Sequence, residues 1–208
     1  MRKDFLIAVI TSPEHWQGEE QCLEELLQAG VEKLHIRKPH GGREALLERL
    51  APEWSSRLVL HGGKDVLDTA IHYGIPQVHG HWHKPWEMTA GPSPSEDHVP
   101  GVGLSASLHS WNEVREVPPG KLEYVFLSPL FDSISKTGYM AGAGLLQRPA
   151  GVAPCRLLGL GGIDEHTIGQ VIAHGWDGVA VLGFLWKKPE MALERFKLLK
   201  AIVTDHGR

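Results

Sequence analysis

Cysteine is scarce: Cys22 and Cys155 are the only two in 208 residues, and both sit among apolar neighbours. A disulfide-stapled secreted scaffold is thereby excluded. The two read as buried free thiols of a reducing cytoplasm, with a single disulfide as the alternative. An excess of either charge is also missing. Twenty-one Lys and Arg stand against 25 Asp and Glu, for a formal net charge of −4 and a pI near 6.3. Nothing there attracts nucleic acid or an anionic membrane. No apolar run approaches the length of a membrane span. The opening Met1-Arg-Lys-Asp4 enters an apolar run within five residues, too soon for a secretory leader. The expectation is a soluble cytoplasmic chain of one domain over residues 1–208, binding neither nucleic acid nor membrane, with a homodimer as a possible assembly.

What is present is a rhythm. Hydrophobic residues make up 42% of the chain and charged ones 22%, and there are 24 glycines. Apolar or β-branched runs recur at Phe5–Ile10, Lys33–Arg37, Arg57–His61, Gln77–His79, Gly101–Ser105, Tyr124–Leu127, Arg156–Leu160 and Gly178–Leu182. Helical spacing fills Glu19–Ala29, Arg43–Leu50, Asp65–Tyr73, Glu165–His174 and Glu190–Val203, and Ser110 with Glu113 forms a capping box for a helix reaching Val117. Helices stop at Ala29-Gly30-Val31, Tyr73-Gly74-Ile75 and His174-Gly175-Trp176, each followed by a short strand. Strand–helix alternation throughout is the signature of a parallel sheet. Eight strands in this length predict an α/β chain folded as a single (β/α)8 TIM barrel. The rhythm breaks only from His81 to Pro100, where four prolines predict a long irregular connection.

Polar residues gather where such strands end. The run Tyr124–Leu127 passes into a loop bearing Ser133, Ser135 and Lys136, hydroxyl donors beside a point charge, which suits an anion. Gly161-Gly162 at a helix start exposes backbone N–H groups, and Gly183 does the same after the eighth strand. Barrels commonly hold phosphate on these last two loops.

These residues carry a resemblance. Leu34-His-Ile-Arg-Lys38, Ser107-Leu-His-Ser-Trp-Asn-Glu113, Tyr124 to Lys136, Leu158-Gly-Leu-Gly-Gly-Ile163 and Gly178-Val-Ala-Val-Leu-Gly183 resemble motifs of the thiamine phosphate synthase/TenI family of (β/α)8 proteins. The match covers most of the chain and is strongest from Val102 to Trp186. It implies thiamine biosynthesis with a small-molecule thiazole phosphate as ligand. Arg37, Lys38, His79, Ser133, Ser135, Lys136, Gly161, Gly162, Leu182 and Gly183 become the implied substrate-binding residues.

The family implies two reactions. A synthase joins hydroxymethylpyrimidine diphosphate to the thiazole phosphate and uses Mg²⁺. A TenI-type tautomerase shifts a proton on a thiazole carboxylate phosphate without metal. Synthases of the family carry an Asn-Asp pair after strand three and a Gly-x-His-Leu-Gly-Gln-x-Asp segment after strand four. Here those places read His61-Gly62-Gly63 and Gln77-Val-His79-Gly-His81, which offer no carboxylate to Mg²⁺, a cation of oxygen ligands. The strand-two pattern has His35 and Pro39 at its ends, and Lys38 alternates to the face opposite Arg37. The expectation is therefore a tautomerase with no metal and no cofactor, Mg²⁺ entering only under the synthase reading. His109 is its proton-transfer residue, because imidazole takes and gives a proton near neutrality. His79, His81 and His83 alternate, which raises a metal site of three imidazoles on one strand against a plain loop. The seven tryptophans read as packing residues. A barrel that only binds the thiazole phosphate, or only meets a partner enzyme, stands as the non-catalytic alternative.

Overall fold

A computed structural model describes residues 5–62, 65–81, 101–132 and 144–206, with His81 by its backbone alone. Eight strands form one closed barrel: β1 (Leu6–Ile10), β2 (Lys33–Ile36), β3 (Leu58–His61), β4 (Gln77–His81), β5 (Gly103–Leu108), β6 (Tyr124–Leu127), β7 (Arg156–Leu160) and β8 (Gly178–Val181). Each strand pairs in parallel with the next in sequence, and β8 returns to β1 through Ala8 opposite Ala180. Helices cover the outside: α1 (Glu19–Gln28), α2 (Arg43–Trp54), α3 (Val66–His72), α4 (Trp111–Glu116), α5 (Ile168–Ala173), α6 (Gly183–Trp186) and α7 (Ala192–His206).

Local sequence explains the helix limits. In α1, Leu23, Leu26 and Leu27 follow helical spacing and are buried, while Glu19 and Glu20 stand in the first turn, where the helix dipole favours acid. Gly30 ends the helix at φ 100°, and the next amide, Val31, bonds back to Leu26. The glycine lets the chain turn sharply into β2. Ser110 caps α4, accepting from the Glu113 amide at 3.2 Å. The Glu113 carboxylate returns to the His109 amide at 2.9 Å, so the reciprocal box closes one residue early.

Several boundaries move. The second helix runs past Leu50 to Trp54 with Pro52 in its last turn, where a missing N–H removes only one bond. Strand β5 reaches Leu108 instead of stopping at Ser105. Asp164 caps the turn 165–167, accepting from the His166 and Thr167 amides, and helix α5 begins only at Ile168. Helix α6 is additional, and a 3₁₀ turn over Pro189–Met191 precedes α7.

Apolar side chains fill two layers. The larger lies between the strands and the helices and includes Val9, Leu34, Leu60, Val78, Val125, Val179 and Phe196, all buried. The second lies inside the barrel and consists of Leu6, Ala8, Ile10, Tyr124, Phe126, Leu158 and Ala180. These inner residues come from β1, β6, β7 and β8 alone. Buried His35, His79, Gln77 and Ser105 come instead from β2, β4 and β5. The lumen is thus apolar on one side and polar on the other.

Candidate active site

Because all eight strands run the same way, their C-terminal ends open on one mouth. Thr11, Arg37, His61, His109, Gly161, Gly162, Leu182 and Gly183 all lie at or just past those ends. The Thr11 hydroxyl accepts from the Arg37 amide at 2.9 Å and donates to the Arg37 carbonyl at 3.2 Å, which continues the β1–β2 ladder beyond the strands. The Arg37 side chain itself is exposed.

Lys38 is placed otherwise than the resemblance implies. Its ammonium donates to the carbonyls of Ser12 and Glu14 and to both Glu19 carboxylate oxygens, at 2.5 and 2.7 Å. Both side chains of the pair are fully buried. With its donors taken, Lys38 ties the start of α1 to the loop after β1 and has no donor left for a substrate.

His109 follows β5 and is exposed. Its Nδ1 lies 3.2 Å from the Ser128 carbonyl, on the adjacent loop after β6. A carbonyl only accepts, so in the tautomer with its proton on Nδ1 the ring donates to Ser128 and Nε2 keeps a lone pair; the Ser128 hydroxyl lies 3.5 Å from the same nitrogen. Ser128 begins a loop with a cis bond to Pro129. That loop runs beside the one after β7: the Leu130 amide donates to Leu160 at 3.0 Å and the Phe131 amide to Gly161 at 3.2 Å. Gly161 and Gly162 have φ of 96° and 65°, and a Cβ on Gly162 would lie 2.6 Å from the Phe131 Cβ and 2.7 Å from the Asp132 carbonyl. Only glycine allows that approach. Leu182 and Gly183 open α6, whose first amides have no intrahelical acceptor. Ser133, Ser135, Lys136 and His83 lie outside the described residues, as does the connection 82–100.

Below the mouth, three imidazoles from adjacent strands meet. His35 Nδ1 is 3.0 Å from His61 Nε2, and His35 Nε2 is 2.8 Å from the Tyr124 hydroxyl. His79 holds Ser105 at 2.9 Å through Nδ1 and Ser107 at 2.8 Å through Nε2. Phe126 packs on His35 and His79, with ring centroids 4.7 and 4.6 Å away. Burial, then the neighbouring His79 and Lys33, drive the His35 pKa well below its usual value, so the ring is neutral. Burial likewise raises the Tyr124 pKa and keeps its hydroxyl protonated. His35 and His61 were not among the implied site residues. The signal for them was a single histidine near the end of each of three consecutive strands, rather than alternation along one.

The resident ion of a synthase fits this arrangement poorly. Mg²⁺ takes oxygen ligands, and among the described residues β3 and β4 present the imidazoles of His61 and His79. The first carboxylate after β3, Asp65, accepts from Arg43 through both oxygens at 3.1 Å.

The fold is a closed (β/α)8 barrel whose mouth carries an exposed histidine beside the closely packed loops after β6 and β7. A family model described as thiamine monophosphate synthase matches residues 6–185, and the chain belongs to that family, a family of thiamine biosynthesis. Thiamine-phosphate synthase of Anoxybacillus flavithermus is 33% identical over 110 residues, 51% of this chain and 50% of that protein. The Listeria welshimeri protein of the same name is 34% identical over 97 residues, 44% and 45% of the two chains. The matched part therefore spans about half the length of these curated relatives. Among solved structures, thiamine phosphate pyrophosphorylase from Bacteroides thetaiotaomicron superposes with a TM-score of 0.75 at 24% identity, covering 96% of this chain and 98% of that one. The Pyrococcus furiosus pyrophosphorylase gives 0.72 at 20%, covering 99% and 98%. Both likenesses concern the fold.

Proposed function

We propose that the chain binds a thiazole phosphate at the barrel mouth and aromatises it by proton transfer, without Mg²⁺. The observation that carries this reading is the His109 ring: the Ser128 carbonyl takes Nδ1–H and leaves Nε2 as a base at the rim. In the proposed step Nε2 removes a ring proton from the non-aromatic thiazole carboxylate phosphate. The resulting imidazolium returns a proton at another position of the same substrate, so atoms and charge balance without a co-reactant. The phosphate is anchored by amides near Gly162 and Gly183, with Ser133, Ser135 and Lys136 as further donors. Imidazoles in place of carboxylates after β3 and β4 support this reading over coupling, because a departing diphosphate ordinarily needs Mg²⁺.

The names of the relatives favour a second reading, Mg²⁺-dependent coupling of hydroxymethylpyrimidine diphosphate to thiazole phosphate. One experiment separates them. Purified protein in Mg²⁺-free buffer is expected to aromatise the thiazole carboxylate phosphate, and His109→Ala to lower the rate by about 10²–10⁴-fold. Robust thiamine phosphate formation that appears only with Mg²⁺ would establish the coupling reaction instead. Calorimetric binding of thiazole phosphate without turnover would leave a binding protein.

A further inference from the structure

We propose that His35, His61 and His79 form a binding site for one nitrogen-preferring divalent cation, zinc foremost, inside the barrel. The proposal goes beyond the proton-transfer reading and does not rest on it, since it requires no thiazole.

The geometry is that of a preformed donor set. Each histidine offers one ring nitrogen, and these atoms all lie within 4.8 Å of one another. The His35–His61 pair is already at 3.0 Å. Two nitrogens on a tetrahedral ion at ordinary Zn–N bond lengths stand about 3.3 Å apart, so modest ring rotations bring the three to a common centre. The rings come from β2, β3 and β4, neighbouring strands of a closed barrel, which holds their backbones firmly.

The outer partners are also in place. His35 Nε2 meets the Tyr124 hydroxyl at 2.8 Å, so Nδ1 is the nitrogen left for an ion. His79 has hydroxyls on both sides, Ser105 and Ser107, and keeps one of them whichever nitrogen ligates. Such partners orient a ligating imidazole and raise its basicity. Phe126 covers the rings from within and restricts water around them.

Donor chemistry selects the ion. Among the described residues the set is three imidazoles with no carboxylate, which suits zinc, cobalt, nickel or copper and not Mg²⁺. Three protein ligands leave a coordination position for water or for an acidic ligand's oxygen. Without a cation, His35 Nδ1 and His61 Nε2 must share a proton to form their bond. The cation moves that proton to the other nitrogen of the same neutral ring, where the Tyr124 hydroxyl can accept it from His35 Nε2, so ligation by the three neutral imidazoles needs no net proton loss.

The test uses the full chain stripped with a chelator, titrated with ZnCl₂ by calorimetry in buffers of different ionisation enthalpy. The expected result is one ion per chain, with an enthalpy that does not change with the buffer, since the rings are already neutral. Co²⁺ should give the intense visible bands of a four-coordinate nitrogen site, and millimolar Mg²⁺ should not compete. His61, half-buried at a strand end, is the mildest ligand to remove. His61→Ala should weaken zinc by more than about tenfold and abolish the cobalt bands while circular dichroism stays unchanged. His166→Ala, at an exposed histidine, should leave both intact. Failure of the parent protein to bind zinc stoichiometrically would overturn the proposal. So would unchanged affinity in His61→Ala, or loss of the site in His83→Ala instead, which would place the ion on the other histidines. The stoichiometry and cobalt spectrum of the parent chain decide even where a variant folds poorly.

Discussion

Glu19 and Lys38 form an ion pair with no solvent on either side chain, in a family where a lysine near this mouth invites assignment to substrate. Removing two charges from water is costly, and here four acceptors around one ammonium offset it. His15 adds a contact at 3.0 Å to the same carboxylate. Breaking such a pair from one side leaves a buried charge without a counterion. Glu19→Ala should therefore lower the unfolding free energy by about 3–5 kcal/mol, whereas Lys38→Met together with Glu19→Leu should cost far less. Denaturant melts of the three proteins check this, and equal losses in the single and double variants would show that packing, not charge, matters there. The sequence marked Lys38 as unusual by its position after a strand. It could not show that Glu19, nineteen residues earlier, folds back to it, because ion-pair partners are set by how α1 leans on the barrel. Cys22 and Cys155 were more legible: both are free, and burial pushes their thiols up to about 11 and about 12, where they stay protonated.

Elements were legible where a local signal fixes them. Glycine stops after α1 and α3 and the apolar runs of β1, β6 and β7 gave the βα rhythm, and rhythm with length gave the closed barrel. Boundaries failed where tertiary contacts decide. Strand β5 extends to Leu108 because its last residues pair with Phe126 and Leu127. Helix α6 exists because Trp186 reaches back, donating to the Ile10 carbonyl at 2.6 Å. The loops after β6 and β7 act as one unit, since the backbone of 130–132 lies against Gly161 and Gly162. A methyl group on Gly162 meets backbone and Cβ atoms, not a flexible side-chain tip, and φ there is 65°. Gly162→Ala should cost about 1–3 kcal/mol of stability and weaken phosphate binding as the loops part. Gly183→Leu, at the start of α6, should raise the inhibition constant of inorganic phosphate with a smaller loss of stability. Unchanged phosphate inhibition in both variants would put the anion elsewhere on the barrel.

At the scale of the molecule, the lumen is divided: β1, β6, β7 and β8 supply apolar side chains, and β2 to β5 supply imidazoles, an amide and hydroxyls. This division was hidden in the sequence because neighbours across a barrel depend on strand stagger, which no spacing along the chain reports. It makes stability depend on pH. His35 is fully buried, faces His61, His79, Tyr124 and Phe126, and also feels Lys33, so it stays neutral in the folded chain. In the unfolded chain an ordinary histidine takes up a proton near pH 6.5. Below that pH the unfolded state binds a proton that the folded state refuses, and stability falls with acidification until the lowered folded value is reached. Above pH 6.5 the contribution is complete and constant. One such group changes stability by at most about 1.4 kcal/mol per pH unit. With a chelator present to remove competing metal, denaturant melts between pH 7 and 5.5 should show this fall. His35→Gln, which keeps a hydrogen bond available to Tyr124 but cannot titrate, should flatten it. Carboxylates add their own slope only at lower pH, so the window isolates the imidazoles. A parent protein that gains stability on acidification, or a variant with an unchanged slope, would show that His35 is not held neutral by the barrel.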